Sequence, residues 1–227
     1  MSRPREAVLE SPASLNADLL NRSRTDRRIG FLPAFLLSLV TLGVYGAYVL
    51  YRLLERREQH FERMVSLRRN LLAVLEERVA VAAGRTALAR DMEELRELDR
   101  AATAQDRRGE KSPVLWLVLG ILTGVTNFYV YYFLNSDFHA HGAAEEDFMR
   151  KAGQVLGRLG LRLDVSPPAP PPRRRFGRYL LLTLLTLGLF SIYWWYTLIT
   201  DPDAHFDGHT AWEASLAGVL GGTAPLC

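Results

Sequence analysis

The residues best suited to chemistry are His139-Ala-His141 and the run Asp201, Asp203, His205, Asp207 and His209. Imidazoles and carboxylates together bind divalent ions such as Zn2+ or Mn2+. The candidate ligands are therefore His139, His141, Asp201, Asp203, His205 and His209. Their every-second-residue alternation suits an extended loop, and no tightly paired metal signature accompanies it. The spacing favours a hydrogen-bonded polar cluster at a membrane surface over an ion site, and no cofactor is expected. No nucleophile elbow, phosphate-cradling glycine loop, zinc-protease helix or dinucleotide fingerprint occurs, so the chain reads as a non-enzyme.

These polar groups trail apolar segments. Residues 31–51, 113–134 and 179–200 contain no Asp, Glu, Lys, Arg or His. At roughly 1.5 Å per residue each is long enough to cross a bilayer core of about 30 Å. The expected fold class is an all-α membrane protein: three hydrophobic helices in repeat units, plus an extramembrane antiparallel helical hairpin resembling a coiled coil.

The three units are copies of one another. Gly43, Gly124 and Gly188 align without gaps, as do Tyr48, Tyr129 and Tyr193, then Tyr51, Tyr132 and Tyr196, then His60, His141 and His205. The tyrosines, with Trp194 and Trp195, read as an interfacial aromatic belt. Gly43 with Ala47, Gly120 with Gly124, and Gly188 read as close helix-packing positions. The repeated histidines are expected to cap a helix end or bond a neighbouring Tyr or carboxylate.

The strings Thr41-Leu-Gly-Val-Tyr45-Gly-Ala-Tyr48-Val-Leu-Tyr51 and Thr186-Leu-Gly-Leu-Phe190-Ser-Ile-Tyr193-Trp-Trp-Tyr196 carry a family likeness. They resemble the Thr-Leu-Gly-Ile-Tyr-x-x-Tyr-Trp-x-Tyr signature of an uncharacterised bacterial integral membrane-protein family, a domain of unknown function. The second copy departs from it at Thr126 and Asn127. The resemblance covers under half of the chain. It implies a multi-pass protein of the bacterial inner membrane and no particular activity.

Charge is segregated between the apolar units. The 227 residues carry a net +3, but residues 52–112 hold fourteen basic and twelve acidic side chains, and residues 201–227 hold four acids and no base. Apolar residues at helical intervals predict two antiparallel helices near 55–82 and 86–106, turning at Gly84. Interleaved acids and few stacking aromatics argue against nucleic-acid binding. Residues 1–30 read as a disordered leader, and residues around 144–160 as a short amphipathic helix. The Pro-rich stretch 167–172 reads as a stiff spacer. Arg173, Arg174, Arg175 and Arg178 then meet anionic lipid headgroups. The lone Cys227 excludes an intrachain disulfide.

Three single crossings would place equal numbers of basic residues on the two sides, so the positive-inside rule returns a tie. An alternative satisfies every basic cluster: each unit breaks at its Thr-x-Gly or Asn127 region and returns to the same face. The leading expectation is a non-catalytic membrane scaffold or accessory subunit, homo-oligomeric or part of a larger complex. A small oligomeric channel and a metal- or quinone-associated redox accessory are the alternatives.

Overall fold

The computed structural model describes residues 5–82, 85–108 and 111–221. Gly84 and Cys227 lie outside these. The described residues form eight α-helices and no strand, as the all-α expectation requires. They are α1 (Arg5–Thr25), α2 (Phe31–Val40), α3 (Val44–Val81), α4 (Arg85–Asp106), α5 (Pro113–Thr123), α6 (Thr126–Arg158), α7 (Phe176–Leu185) and α8 (Phe190–Gly221).

Each apolar stretch is broken in two, and this replaces the three uninterrupted hydrophobic helices. Among the described residues no helix is long and apolar enough to cross a membrane. Instead α2, α5 and α7 each fold back on the long helix that follows. Aromatic contacts fix the antiparallel sense: Tyr179 on α7 packs edge-on against Phe190 and Trp194 on α8.

The Thr-Leu-Gly motif makes the break in the first and third stretches, and Thr123-Gly124 in the second, where Thr123 Oγ1 donates to the Leu119 carbonyl and accepts from the Thr126 amide. Thr41 Oγ1 donates to the carbonyl of Leu37, at the end of α2, and accepts from the amide of Tyr45, in the first turn of α3. Thr186 does the same between Leu182 and Phe190. One hydroxyl thus caps both helices. Leu42 and Gly43 follow at φ 51° and 94°, and Leu187 and Gly188 at 49° and 94°. That double left-handed step suits glycine, and it lets the Gly43 and Gly188 amides close 2.8 Å bonds to the carbonyls of Ser38 and Thr183. A Cβ built at Gly43, Gly124 or Gly188 would meet nothing within 4 Å. These glycines are hinges and not the helix-packing contacts expected of them. Gly120 is the packing glycine, pressed against Asn127, whose Nδ2 donates to the Gly120 carbonyl.

Two large apolar cores result, with a small third cluster of Phe61, Phe138 and Phe206. One gathers Ala34, Val49, Leu53, Val130, Phe133, Trp194 and Ile199 from the three hairpins. The other gathers Met64, Leu67, Leu71, Leu75, Met92, Leu95, Phe148, Leu156 and Trp212 in the charged body. Trp194, expected in the aromatic belt, is 1 % exposed and belongs to the first core. Tyr48, Tyr129, Tyr132, Tyr193 and Tyr196 do stand exposed around it. Tyr51 and Trp195 are half-buried.

The charged segment folds back as expected, with Arg96 on α4 paired to Glu76 on α3, but α3 continues unbroken from the hairpin into it. The amphipathic stretch near 144–160 is likewise the far part of α6. Residues 5–30 correct the reading of residues 1–30 as a disordered leader, of which 1–4 lie outside the described residues: α1 buries Leu15 in the body, and Asp18 accepts hydrogen bonds from Ser66 and Asn70.

Candidate metal centre

The polar site lies between the two cores, one turn or two past the apolar part of each long helix. His60 on α3 sits between Leu54 and Met64, His141 on α6 between Leu134 and Phe148, and His205 on α8 between Ile199 and Trp212. The repeat therefore delivers one imidazole from each unit to a common point. One further turn along, the equivalent positions are Met64, Glu145 and His209. On a helix residues i and i+4 share a face, so Glu145 and His209 point where their own histidines point.

Four groups, His60, Glu145, His205 and His209, place a ligand atom each within 4.8 Å of one another. His141 flanks them, its Nε2 3.2 Å from His60 Nε2 and 3.2 Å from Glu145 Oε2. The Nε2 of His209 lies 3.1 Å from that of His205 and 2.9 Å from Glu145 Oε2. All five side chains are at most 1 % exposed.

The outward-facing nitrogens explain this inward convergence. His60 Nδ1 meets Asp26 Oδ1 at 2.8 Å and His141 Nδ1 meets Asp106 Oδ1 at 2.6 Å. His205 Nδ1 meets the Ala169 carbonyl at 3.0 Å, and His209 Nδ1 lies 3.3 Å from Glu213. A carbonyl or an ionised carboxylate can only accept, so Nδ1 carries the proton in the first three contacts, while the approach of His209 Nδ1 to Glu213 lacks hydrogen-bond geometry. In a neutral ring the Nε2 lone pairs then face one another and the Glu145 carboxylate. Neither Glu145 oxygen finds a hydrogen-bond partner of acceptable geometry. Only positive charge at the centre relieves such an arrangement. The pattern matches metal-bound histidines, whose second nitrogen is held by a carboxylate or carbonyl.

Charge balance points the same way. The carboxylates that reach the imidazoles are Asp26, Asp106, Glu145 and Glu213, and the guanidiniums paired with them are Arg63 and Arg68; Arg56 and Arg57 are buried as deeply but pair with Asp203 and Asp137. Arg63 bridges Asp26 and Glu213, and Arg68 binds Asp106 and lies 4.0 Å from Glu145. Partly exposed Arg22 and Asp99 at the edges offset each other. Two negative charges remain in excess when the imidazoles are neutral, the charge of one divalent cation.

Without an ion, protons take its place unevenly. Burial lowers His209, but Glu145 and Glu213 override it and push the ring up to about 9. His141 rises against burial through Glu145 and Asp106. Burial pushes His60 down to about 3 despite Asp26, and it lowers His205 too. The surrounding imidazoles hold Glu145 well below the usual carboxylate range despite its burial.

The Pro-rich stretch, expected as a spacer, is a strap across the site. It presses on α6 and α8 where Gly142 and Gly208 leave room: a Cβ there would come within 2.8 Å of Pro170 Cα and 2.9 Å of Pro168 Cα. That approach brings the Ala169 carbonyl to His205 and the Pro171 carbonyl to His139.

Of the six sequence-derived ligands the structure brings together His141, His205 and His209. His139 faces the strap. Asp201 is held by Arg174 through two 2.8 Å bonds, and Asp203 pairs with Arg56. The reason is helical period. Residues 201–209 form no extended loop but part of α8, so alternate residues diverge. Pro202 sits inside that helix and cannot donate to the Leu198 carbonyl. Arg56 does so instead, donating at 3.2 Å to Leu198 and to Ile199.

His60 lies mid-helix and caps nothing. It and Glu145 are the ligands that the sequence reading passed over. The threefold His alignment, taken with a helix running on past the apolar segment, is the signal that finds both. Compared with known proteins, the chain matches no family model, no curated protein and no solved structure.

Proposed function

We propose that this chain is a membrane-attached metalloprotein in which one divalent first-row ion clasps the three repeat units together. The observation that carries the reading is the convergence of His60, His205, His209 and Glu145, flanked by His141, with outward nitrogens held by acceptors. Nitrogen-rich, sulfur-free sets of this kind suit zinc or iron(II). Donors at most 1 % exposed leave no room for a water-borne substrate, and closed sites are structural ones. The ion then acts as a fold-defining link between α3, α6 and α8, and the protein as a non-catalytic scaffold or accessory subunit. Attachment to the bacterial inner membrane rests on the three apolar hairpin ends and on the motif resemblance.

Elemental analysis of the full chain purified in mild detergent tests the reading. About one equivalent of a single first-row metal per chain is expected for a one-ion site. A His60→Ala, His209→Ala double variant should lose it, while His139→Ala should keep it. Should the variant fold poorly, chelation and readdition of Zn2+ or Fe2+ to the wild-type chain gives the same answer. A chain that purifies without metal and takes up neither ion overturns the proposal.

A further inference from the structure

We propose that the three hairpins enter one leaflet of a bilayer from one side, so that the whole charged body and every connection stay on that side. The inference rests on the membrane attachment above and is independent of the metal. The short arms α2, α5 and α7 have 10, 11 and 10 residues. At roughly 1.5 Å per residue they reach about 15 Å, half of a bilayer core of about 30 Å. Their ends are apolar and bare: Leu42 and Leu187 are each 95 % exposed and Leu122 is 75 % exposed. The three ends adjoin, since residues from all of them line a single groove of about 550 Å3 between the hairpins.

Acyl chains are the occupant that fits this surface. Turns placed in hydrocarbon must satisfy their own backbone, and the threonine caps and 2.8 Å glycine bonds described above do that. Towards the base stand Tyr51, Tyr132 and Tyr196, the last two packed on Phe176 and Phe31 where α7 and α2 begin, with exposed Tyr48, Tyr129 and Tyr193 nearer the tips. A basic residue precedes every short arm, Arg28, Lys111 and Arg175, of which Arg28 pairs with Asp207 and Lys111 with Asp137. Tyrosine and arginine at that level suit the interface with anionic headgroups. Arg174 is in part committed to Asp201, which leaves Arg173, Arg175 and Arg178 better placed for lipid.

Single cysteines in a Cys227→Ser background, expressed in bacteria, separate the possibilities. An impermeant thiol reagent is applied to spheroplasts and to inverted inner-membrane vesicles. Arg24→Cys, Arg107→Cys and Gly160→Cys should all react from the same face. Three crossings would instead place Arg107→Cys opposite the other two, and that result overturns the inference while leaving membrane attachment intact. Leu42→Cys and Leu187→Cys carrying an environment-sensitive fluorophore should be quenched best by nitroxides near the acyl-chain ends. Quenching by aqueous iodide, or by neither probe, as for tips buried against a second copy, also overturns it. A chain that does not sediment with membranes or float with phosphatidylethanolamine and phosphatidylglycerol vesicles removes the attachment itself.

Discussion

The two ends of the same three repeats are built on opposite rules. At the hairpin end the repeats expose leucine and valine, and their contacts to one another are apolar and forgiving. Some twenty-odd ångströms along the same helices, at roughly 1.5 Å per residue, they bury five metal-ligand-type side chains and five supporting charges. Apolar contacts lose stability in proportion to area, whereas an enclosed charge that loses its partner is left uncompensated. The site end should therefore be brittle and the hairpin end tolerant.

Breaking the comparison is simplest with charge. Arg63→Met strands both Asp26 and Glu213, and should cost about 3–5 kcal/mol in denaturant unfolding of the full chain in detergent. Leu42→Ser at the hairpin end should stay within about 0.5 kcal/mol in the same assay. Equal losses would refute the contrast.

Ion removal is next in size. A metal kept at a thousandfold over its dissociation constant contributes about 4 kcal/mol, so chelation should lower stability by that order. For a chain of this length the thermal midpoint should fall by about 10 °C, and scanning calorimetry with and without added ion reads it.

The strap sharpens the site half of the comparison. Gly208→Ala or Gly142→Ala drives a methyl group into Pro168 or Pro170 and should cost about 1–3 kcal/mol. Gly208→Ala should also weaken ion retention measured by competitive chelation, because the Ala169 carbonyl moves off His205.

The smallest effects differ in sign. Gly43→Ala forces φ 94° on a side chain and should destabilise by about 1 kcal/mol. Gly153→Ala, inside α6 with nothing within 4 Å, should stabilise by about 0.5–1 kcal/mol. Thermal unfolding of the two variants side by side checks both.

Helical content, the threefold repeat and the fold-back of α3 on α4 were legible because they depend on local pattern. The break inside each apolar stretch was legible only as the alternative to three crossings, at the Thr-x-Gly and Asn127 positions where it falls, because hydropathy alone does not distinguish a crossing from two arms joined at a hinge. The Thr41-Leu42-Gly43 bonds decide that, and they depend on φ values no composition reveals. The ligand set was half legible. His141, His205 and His209 were named, yet reading residues 201–209 as extended put Asp201 and Asp203 with them. A strand-like period of two selects different neighbours from a helical period of 3.6, and the wrong period admitted the wrong carboxylates. Glu145, one turn past His141, was missed because residues near 144–160 were read as a separate amphipathic helix and not as the continuation of the one that carries His141.

Each long helix runs without a break from a hairpin tip to its histidine, with Arg56 shoring up the one proline on the way. Such rods behave as levers. With the tips in lipid as proposed, a change in lipid thickness that tilts them is delivered along the rods to the imidazoles, so the coordination geometry of the proposed centre should register the mechanical state of that lipid.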